Sequence, residues 1–255
     1  CNFILTKMEE EGRGFDEILK EAQEKGYAEA DPTFDIKGID SGHKLAILSS
    51  IAYGSKPNFK DQHIEGIDNI DISDIELASD LGYKIKLLGV YKYFDQPFQA
   101  VYPALIDKKT MIAKVDNTYN TVATNCSNAG WSMLVGHGAG GMITASAIVA
   151  DLVDIANDHN SNIFLHNADS LKDVQISKIE NRIGNYMIKI EIKKENISKD
   201  RELFKAIFEN KYNIDNSAYI TCDDKITAGF IISKQKESEI SSFVTNLVND
   251  NNVIS

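Results

Sequence analysis

A change of hydrophobic period along the chain limits the fold more than any other feature. In FDEILKEAQEKGY, Phe15, Ile18, Leu19 and Ala22 recur at helical spacing and Gly26 supplies a stop. A second helix is expected from about Asp40, with Leu45, Ile47, Leu48 and Ile51 apolar and Gly54 at its end. The opening CNFILTKMEEE also reads as an amphipathic helix. From KIKLLGVYKYF through FQAVYPALI and TMIAKVDNTYNTVAT the residues turn β-branched and aromatic with turn signals between them, which predicts several strands. VGHGAGG then leads into MITASAIVADLVDIAND, where Ala145, Ile148, Val149, Leu152 and Ile155 return to helical spacing. A chain with both periods in this order is α+β, a mixed sheet with helices.

The stretch HNADSLKDVQISKIENRIG follows neither period and is read as a linker. Beyond it come YMIKIEIK as a strand, ELFKAIFENKY as a helix, NSAYIT and TAGFIIS as strands, ISSFVTNLVND as a helix and NVIS as a short last strand. This βαββαβ order is that of a small ferredoxin-like domain, an antiparallel sheet with two helices on one face. The expected organisation is therefore a first domain over residues 1–165, a linker over 166–183 and a second domain over 184–255.

Charge narrows the partners. The chain has 27 basic against 38 acidic residues, a net charge of −11, and no Lys/Arg cluster clear of interleaved acids. Nucleic acid and anionic membranes are poor partners for such a surface. Three cysteines, Cys1, Cys126 and Cys222, lie far apart with no CxxC and no histidine at ligand spacing. That usage fits a reducing compartment, so a cytoplasmic protein without a metal site is expected. The longest apolar run, Ile143 to Val153, is broken by Thr144, Ser146 and Asp151 and is too short to span a bilayer. The chain opens on Cys rather than Met. A lipidated cysteine is normally followed by a polar tether, whereas Phe3, Ile4 and Leu5 are apolar, so a piece of a longer chain is the expectation.

Two stretches carry candidate chemistry. GYAEADPTFDIKGIDSGHK holds four carboxylates, Glu29, Asp31, Asp35 and Asp40, ahead of Lys44. Asp40 and Lys44 stand at i and i+4 on the expected helix and share a face. One account is a solvated ion pair worth a few tenths of a kcal/mol. The other is a lysine that exchanges a proton while neighbouring carboxylates hold a substrate ammonium. Spacing leaves both open. Residues 136–141, GHGAGG, place four glycines directly before a helix, which lets a backbone approach a phosphate or a cofactor ring. The stretch lacks the βαβ start and the acidic residue about twenty positions on that a dinucleotide fingerprint needs. A tight strand-to-helix turn is the plainer account. His137, in the same loop, is either solvated or polarises a ligand, and Trp131 is expected in core or interface packing.

Taken together and in order, these stretches resemble homoserine dehydrogenase. CNFILTKM looks like the end of that family's NGTTNYILTKM segment. GYAEADPTFDIKGIDSGHKLAIL is close to its GYAEADPxxDVxGxDaxxKlaiL signature, and VGHGAGGMITASAIVADL is similar to its GpGAGxxPTAsAVvaDl element. The resemblance covers about residues 1 to 157. It implies interconversion of L-aspartate 4-semialdehyde and L-homoserine with NADP or NAD, on the route to threonine, methionine and isoleucine, by a homodimer. By the same resemblance Lys44 is the proton donor, Glu29 and Asp40 bind the substrate, Tyr27 lines its pocket, and Gly138 and Gly140 lie against the cofactor. The chain departs from the pattern at His137 and at Ile143, where the family usually has proline.

The second domain is similar to an ACT domain, an amino-acid sensor in some members of the family. Its first loop, KKENISKDREL, has neither the Pro nor the Gly of the usual DxPGVL-like turn, so strong threonine sensing is not expected. Family members begin with a Rossmann domain bearing GxGxxG. This chain is expected to be the catalytic and dimerisation part plus the ACT-like domain, inactive by itself. The rival reading is a non-catalytic regulatory protein that binds an amino acid or forms dimers.

Overall fold

A computed structural model describes residues 1–93, 96–159, 167–193, 212–222 and 225–249. The chain divides into two compact units, Cys1–Asn69 with Lys86–Ser177, and Ile70–Ile85 with Lys178–Ser255.

The first unit opens on three helices. Helix α1 (Asn2–Glu11) buries Phe3, Ile4, Leu5, Thr6 and Met8 and stops at Gly12, whose φ of 64° only glycine adopts cheaply. Helix α2 (Phe15–Glu24) carries Asp16 and Glu17 in its first turn, where the helix dipole favours them, and buries Ile18 and Ala22. Helix α3 (Thr33–Ile36) is a single turn. Helix α4 (Ile39–Tyr53) runs between two left-handed glycines, Gly38 and Gly54.

The face that α4 buries differs from the expected one. Gly42, Leu45, Ala46, Ser49 and Ser50 are buried, while Ile47 and Leu48 are 55% and 45% exposed. The inner face is tied by polar groups instead. Gln62 Nε2 donates to Gly42 O at 2.9 Å, Gln99 Nε2 donates to Gln62 Oε1 at 2.6 Å, and Ser49 Oγ donates to Gln99 Oε1 at 2.8 Å. Each buried group in this chain has a partner, which is what makes its burial tolerable.

Strands β1 (His63–Ile64), β2 (Tyr83–Tyr93) and β3 (Pro97–Asp107) form a sheet in the order β1-β3-β2, with β1 parallel to β3. The stretch TMIAKVDNTYNTVAT, read as part of the strand-forming region, opens with a 3-10 turn at Ile112–Lys114 and a left-handed Asn117. Strand β4 (Tyr119–Cys126) starts only after them and pairs antiparallel with β5 (Gly130–His137). The Asn117 N–H donates to Thr6 Oγ1 at 3.0 Å, so a bond to α1 holds the turn that interrupts the strand. Helix α6 (Gly141–Ala156) follows. Its Ala145, Ile148, Val149, Leu152 and Ile155 share the expected helical spacing, yet every residue of the helix is exposed.

The second unit takes a segment from the first half of the sequence. Helix α5 (Ile72–Asp80) is started by a reciprocal capping box between Asp71 and Asp74. The sheet is β6 (Ile183–Lys193), β8 (Lys225–Lys236) and β7 (Ile214–Cys222), antiparallel in the order β6-β8-β7. Alternate residues point to opposite faces of a strand. On one face Ile188, Ile190, Phe230 and Ile232 form a core with Ile240 and Phe243 of α7 (Glu237–Asn249). On the other, Gly229 leaves room for Leu77 of α5, and Lys189 reaches Asp71 at 2.8 Å and Asp74 at 2.9 Å. The helix expected over ELFKAIFENKY, the KKENISKDREL loop and the NVIS strand lie outside the described residues.

The Lys189 clamp has a pH signature. Burial pushes the Asp71 carboxyl up, but the Lys189 ammonium, the Ser73 hydroxyl and the Asp74 N–H outweigh it and hold the group at about 2. An unfolded aspartate titrates near 3.9, so Asp71 contributes stability above about pH 4 that is lost as pH falls toward 2. Asp74, held above its ordinary value by burial, works in the opposite direction. Asp71→Asn keeps a good N-cap. It is expected to flatten the acid limb of the stability curve, read by thermal unfolding between pH 5 and pH 2. An acid limb unchanged from wild type would count against the clamp.

Candidate active site

The acid-rich segment is built from a chain of local bonds. After α2, the N–H groups of Tyr27 and Ala28 both donate to Ala22 O, at 2.8 and 3.2 Å, which turns the chain sharply. Gln23 Nε2 donates to Glu29 O at 3.0 Å and to Ala30 O at 3.1 Å, pinning the next, bent stretch back to α2. Asp31 Oδ1 accepts from Thr33 N at 3.1 Å and from the Thr33 hydroxyl at 2.6 Å; these bonds keep its carboxyl below the ordinary range and start α3. Asp31 is thus a local cap rather than a free binding group.

Asp40 and Lys44 lie on one face of α4 with Lys44 Nζ 2.6 Å from Asp40 Oδ2, and their side chains are 46% and 57% exposed. Asp35 enters the group from α3, a residue that sequence reasoning left among the acids without a role. The Cys1 thiol donates to Asp35 O at 2.7 Å. Tyr27 is placed by an edge contact with Phe3 of α1, ring centroids 5.2 Å apart. Glu29 is exposed, and its backbone N–H faces Asp35 Oδ2 at 3.5 Å. The start of α1 thus touches Tyr27 and the backbone of Asp35, while Asp40 and Lys44 pair on α4. An aromatic strip flanks them, His43 against Phe59 at 4.2 Å and against Phe34 at 6.1 Å.

The glycine loop is held by bonds to the segment that leads into β4. Gly138 N donates to Thr118 O at 2.8 Å, and a Cβ on Gly138 would overlap the side-chain amide of Asn120. Its clearance is thus used by a side chain of β4. Gly140 caps α6 at φ 130° with no side-chain bond to the helix start, and only glycine adopts that angle without strain. The helix starts at Gly141 even with Ile143 in place of proline, its Ile143 N–H donating to Gly140 O at 3.1 Å. His137 is stacked on Tyr119 at 4.2 Å with Nδ1 3.3 Å from the Thr118 hydroxyl. Trp131 is 70% exposed. Among the described residues no group of three or more His, Cys, Asp or Glu is placed to hold a metal ion, and no helix is long and apolar enough to cross a membrane.

A family model, homoserine dehydrogenase, matches residues 1–153. The homoserine dehydrogenase of Neisseria gonorrhoeae is 49% identical over 156 residues, 61% of this chain and 36% of that protein. A homoserine dehydrogenase structure from Thiobacillus denitrificans aligns with TM-score 0.83 and 33% identity, covering 100% of this chain and 59% of that one. A hyperthermophilic archaeal homoserine dehydrogenase mutant in complex with NADPH aligns with TM-score 0.50 and 30% identity, covering 63% of this chain and 45% of that one. The chain spans less than two thirds of the length of each of these relatives. With three fifths of its residues matched by one family model and its α+β fold matched end to end by a solved member, the chain belongs to the homoserine dehydrogenase family.

Proposed function

We propose that the complete protein is an oxidoreductase interconverting L-homoserine and L-aspartate 4-semialdehyde with NADPH or NADH. The observation that carries the reading is the Asp40–Lys44 pair, 2.6 Å apart on an open helix face. The Lys44 Nζ carries N–H donors on this open face, and a side-chain donor placed beside a substrate carbonyl can act as a general acid. In this role Lys44 gives its proton to the carbonyl oxygen of the aldehyde as the oxygen gains negative charge, and takes it back in the reverse direction. Asp40 orients Lys44 and, with Glu29, attracts the substrate ammonium, while Tyr27 forms a wall of the pocket. A bound reduced nicotinamide supplies the hydride that the carbonyl carbon receives.

Gly138 and Gly140 are the residues of this chain proposed to lie against that cofactor. The fit rests on Gly140, whose backbone angle presents an uncapped helix start, a favourable place for negative charge. Gly138 supports it indirectly, by letting Asn120 close over the loop. A homodimer in the cytoplasm completes the reading, and the three-strand order β6-β8-β7 of the second unit fits an ACT-like domain.

The test is a coupled assay on the protein from its complete reading frame. Homoserine-dependent reduction of NADP or NAD at more than about 1 s⁻¹, within the usual range of enzymes, is the expected result. Saturable amino-acid binding without turnover would favour a regulatory protein instead.

A further inference from the structure

Among the described residues of the first unit, one charged side chain is buried, and it is separate from the half-exposed pair on α4. Lys86, on β2, is 5% exposed, and its ammonium donates to Asn2 Oδ1 at 3.0 Å, Val115 O at 2.9 Å and Asp116 Oδ1 at 2.8 Å. An ammonium has three N–H donors, and here each has its own acceptor. Taking such a group out of water is costly unless its hydrogen bonds are matched in this way. The three acceptors come from two segments more than a hundred residues apart, the first turn of α1 and the turn ahead of β4.

The partners extend the connection in both directions. Asn2 donates through Nδ2 to Val115 O at 3.0 Å and to Tyr119 O at 2.8 Å. Tyr119 stacks on His137, and the neighbouring Thr118 O receives the Gly138 N–H. On the other side, the residues flanking Asn2 are Cys1, bonded to Asp35 O, and Phe3, in ring contact with Tyr27. One buried ammonium therefore joins the element that touches Tyr27 and the backbone of Asp35 to the strand pair that carries the glycine loop.

We propose that Lys86 is a positioning residue for the dehydrogenase reaction, fixing the substrate-side group and the glycine loop in one register through Asn2 and the Val115–Asp116 turn. The inference rests on the functional reading above. Lys86 touches neither substrate nor cofactor in this role. Its effect is on the alignment of the two reactants, and misplacement by about 1 Å is enough to cost about 10²-fold in rate.

The test uses the protein from its complete reading frame. Lys86→Met combined with Asp116→Asn removes both charges, so neither is left buried and unpaired. The double variant is expected to melt within a few degrees of wild type, with kcat lowered about 30-fold or more and the KM values for homoserine and nicotinamide cofactor changed less than about threefold. Asn2→Ala leaves the Lys86–Asp116 pair in place but takes one acceptor from the Lys86 ammonium; it is expected to lower the melting temperature by a few degrees and kcat about tenfold when assayed well below that temperature, and it decides the matter if the double variant does not fold. A folded double variant, or an Asn2→Ala protein, with wild-type kcat overturns the proposal. Absence of homoserine-dependent turnover in the wild-type protein is a different outcome: it overturns the functional reading, and this inference with it.

Discussion

Replacing Lys44 by alanine is expected to lower kcat about 10²-fold or more with KM for homoserine little changed, because a general acid acts in the transition state and adds little to ground-state binding. The same substitution is expected to leave the melting temperature almost unmoved. Lys44 and Asp40 are both about half exposed, and a helix pair of this kind contributes only a few tenths of a kcal/mol. The two measurements together separate the accounts that spacing alone left open. A surface pair gives a small stability loss and full activity, whereas a proton donor gives the reverse. Lys44→Arg sharpens the test, since a guanidinium keeps the charge near Asp40 but does not release its proton in this pH range. It is expected to be nearly as slow as alanine. Wild-type kcat in Lys44→Ala would return the pair to the surface.

The sequence made local features legible and long-range ones not. Helices α2 and α4 follow from apolar spacing and from Gly26 and Gly54, which adopt left-handed angles where the chain leaves each helix. The Asp40–Lys44 pair follows from i,i+4 geometry for the same reason. Which face of α4 goes inward did not follow, because Ile47 and Leu48 have the residue type of a core while Gly42, Ser49 and Ser50 have the polar partners and the small size. Helix α5 carried a local signal, the Asp71–Asp74 capping box, but nothing near it in sequence says that it packs on a sheet whose strands begin a hundred residues later. That docking depends on Gly229 making space for Leu77 and on Lys189, and neither contact has a short-range signature.

The same division runs through the candidate site. Gly138 reads as a place of close approach, and the contact it makes with the Asn120 side chain has no signal in the sequence. Asp35 and Lys86 lie in stretches with no distinctive spacing to each other. The bonds of Cys1 and Asn2, adjacent residues at the start of α1, connect them. A motif reader finds residues whose chemistry is concentrated in sequence and passes over a buried lysine whose partners are remote.

Substituting Gly66 by alanine is expected to give the largest stability loss of any single methyl addition to the first unit, about 3 kcal/mol, the upper end of the usual cost of overpacking. A Cβ at this position would overlap Ile36 O and the Lys37 Cα, with the Lys37 carbonyl carbon only 2.7 Å away. All three are backbone atoms, which cannot swing aside as the tip of a side chain does. The two segments are moreover locked together on both sides of the glycine, by Ile67 N donating to Ile36 O at 2.7 Å and by Lys37 Nζ at 2.8 Å from Asp68. The added methyl must therefore push α3 away from the chain that follows β1, and α3 carries Asp35. A fall in melting temperature of about 6–12 °C is expected, accompanied by a raised KM for homoserine if Asp35 belongs to the substrate group. Gly14→Ala is the control, because nothing lies within 4 Å of a Cβ there and its φ of −69° suits any residue; it is expected to cost less than about 1 kcal/mol. Equal melting temperatures for the two variants would mean that the close approach of Gly66 to α3 does not hold the acid-bearing turn in place.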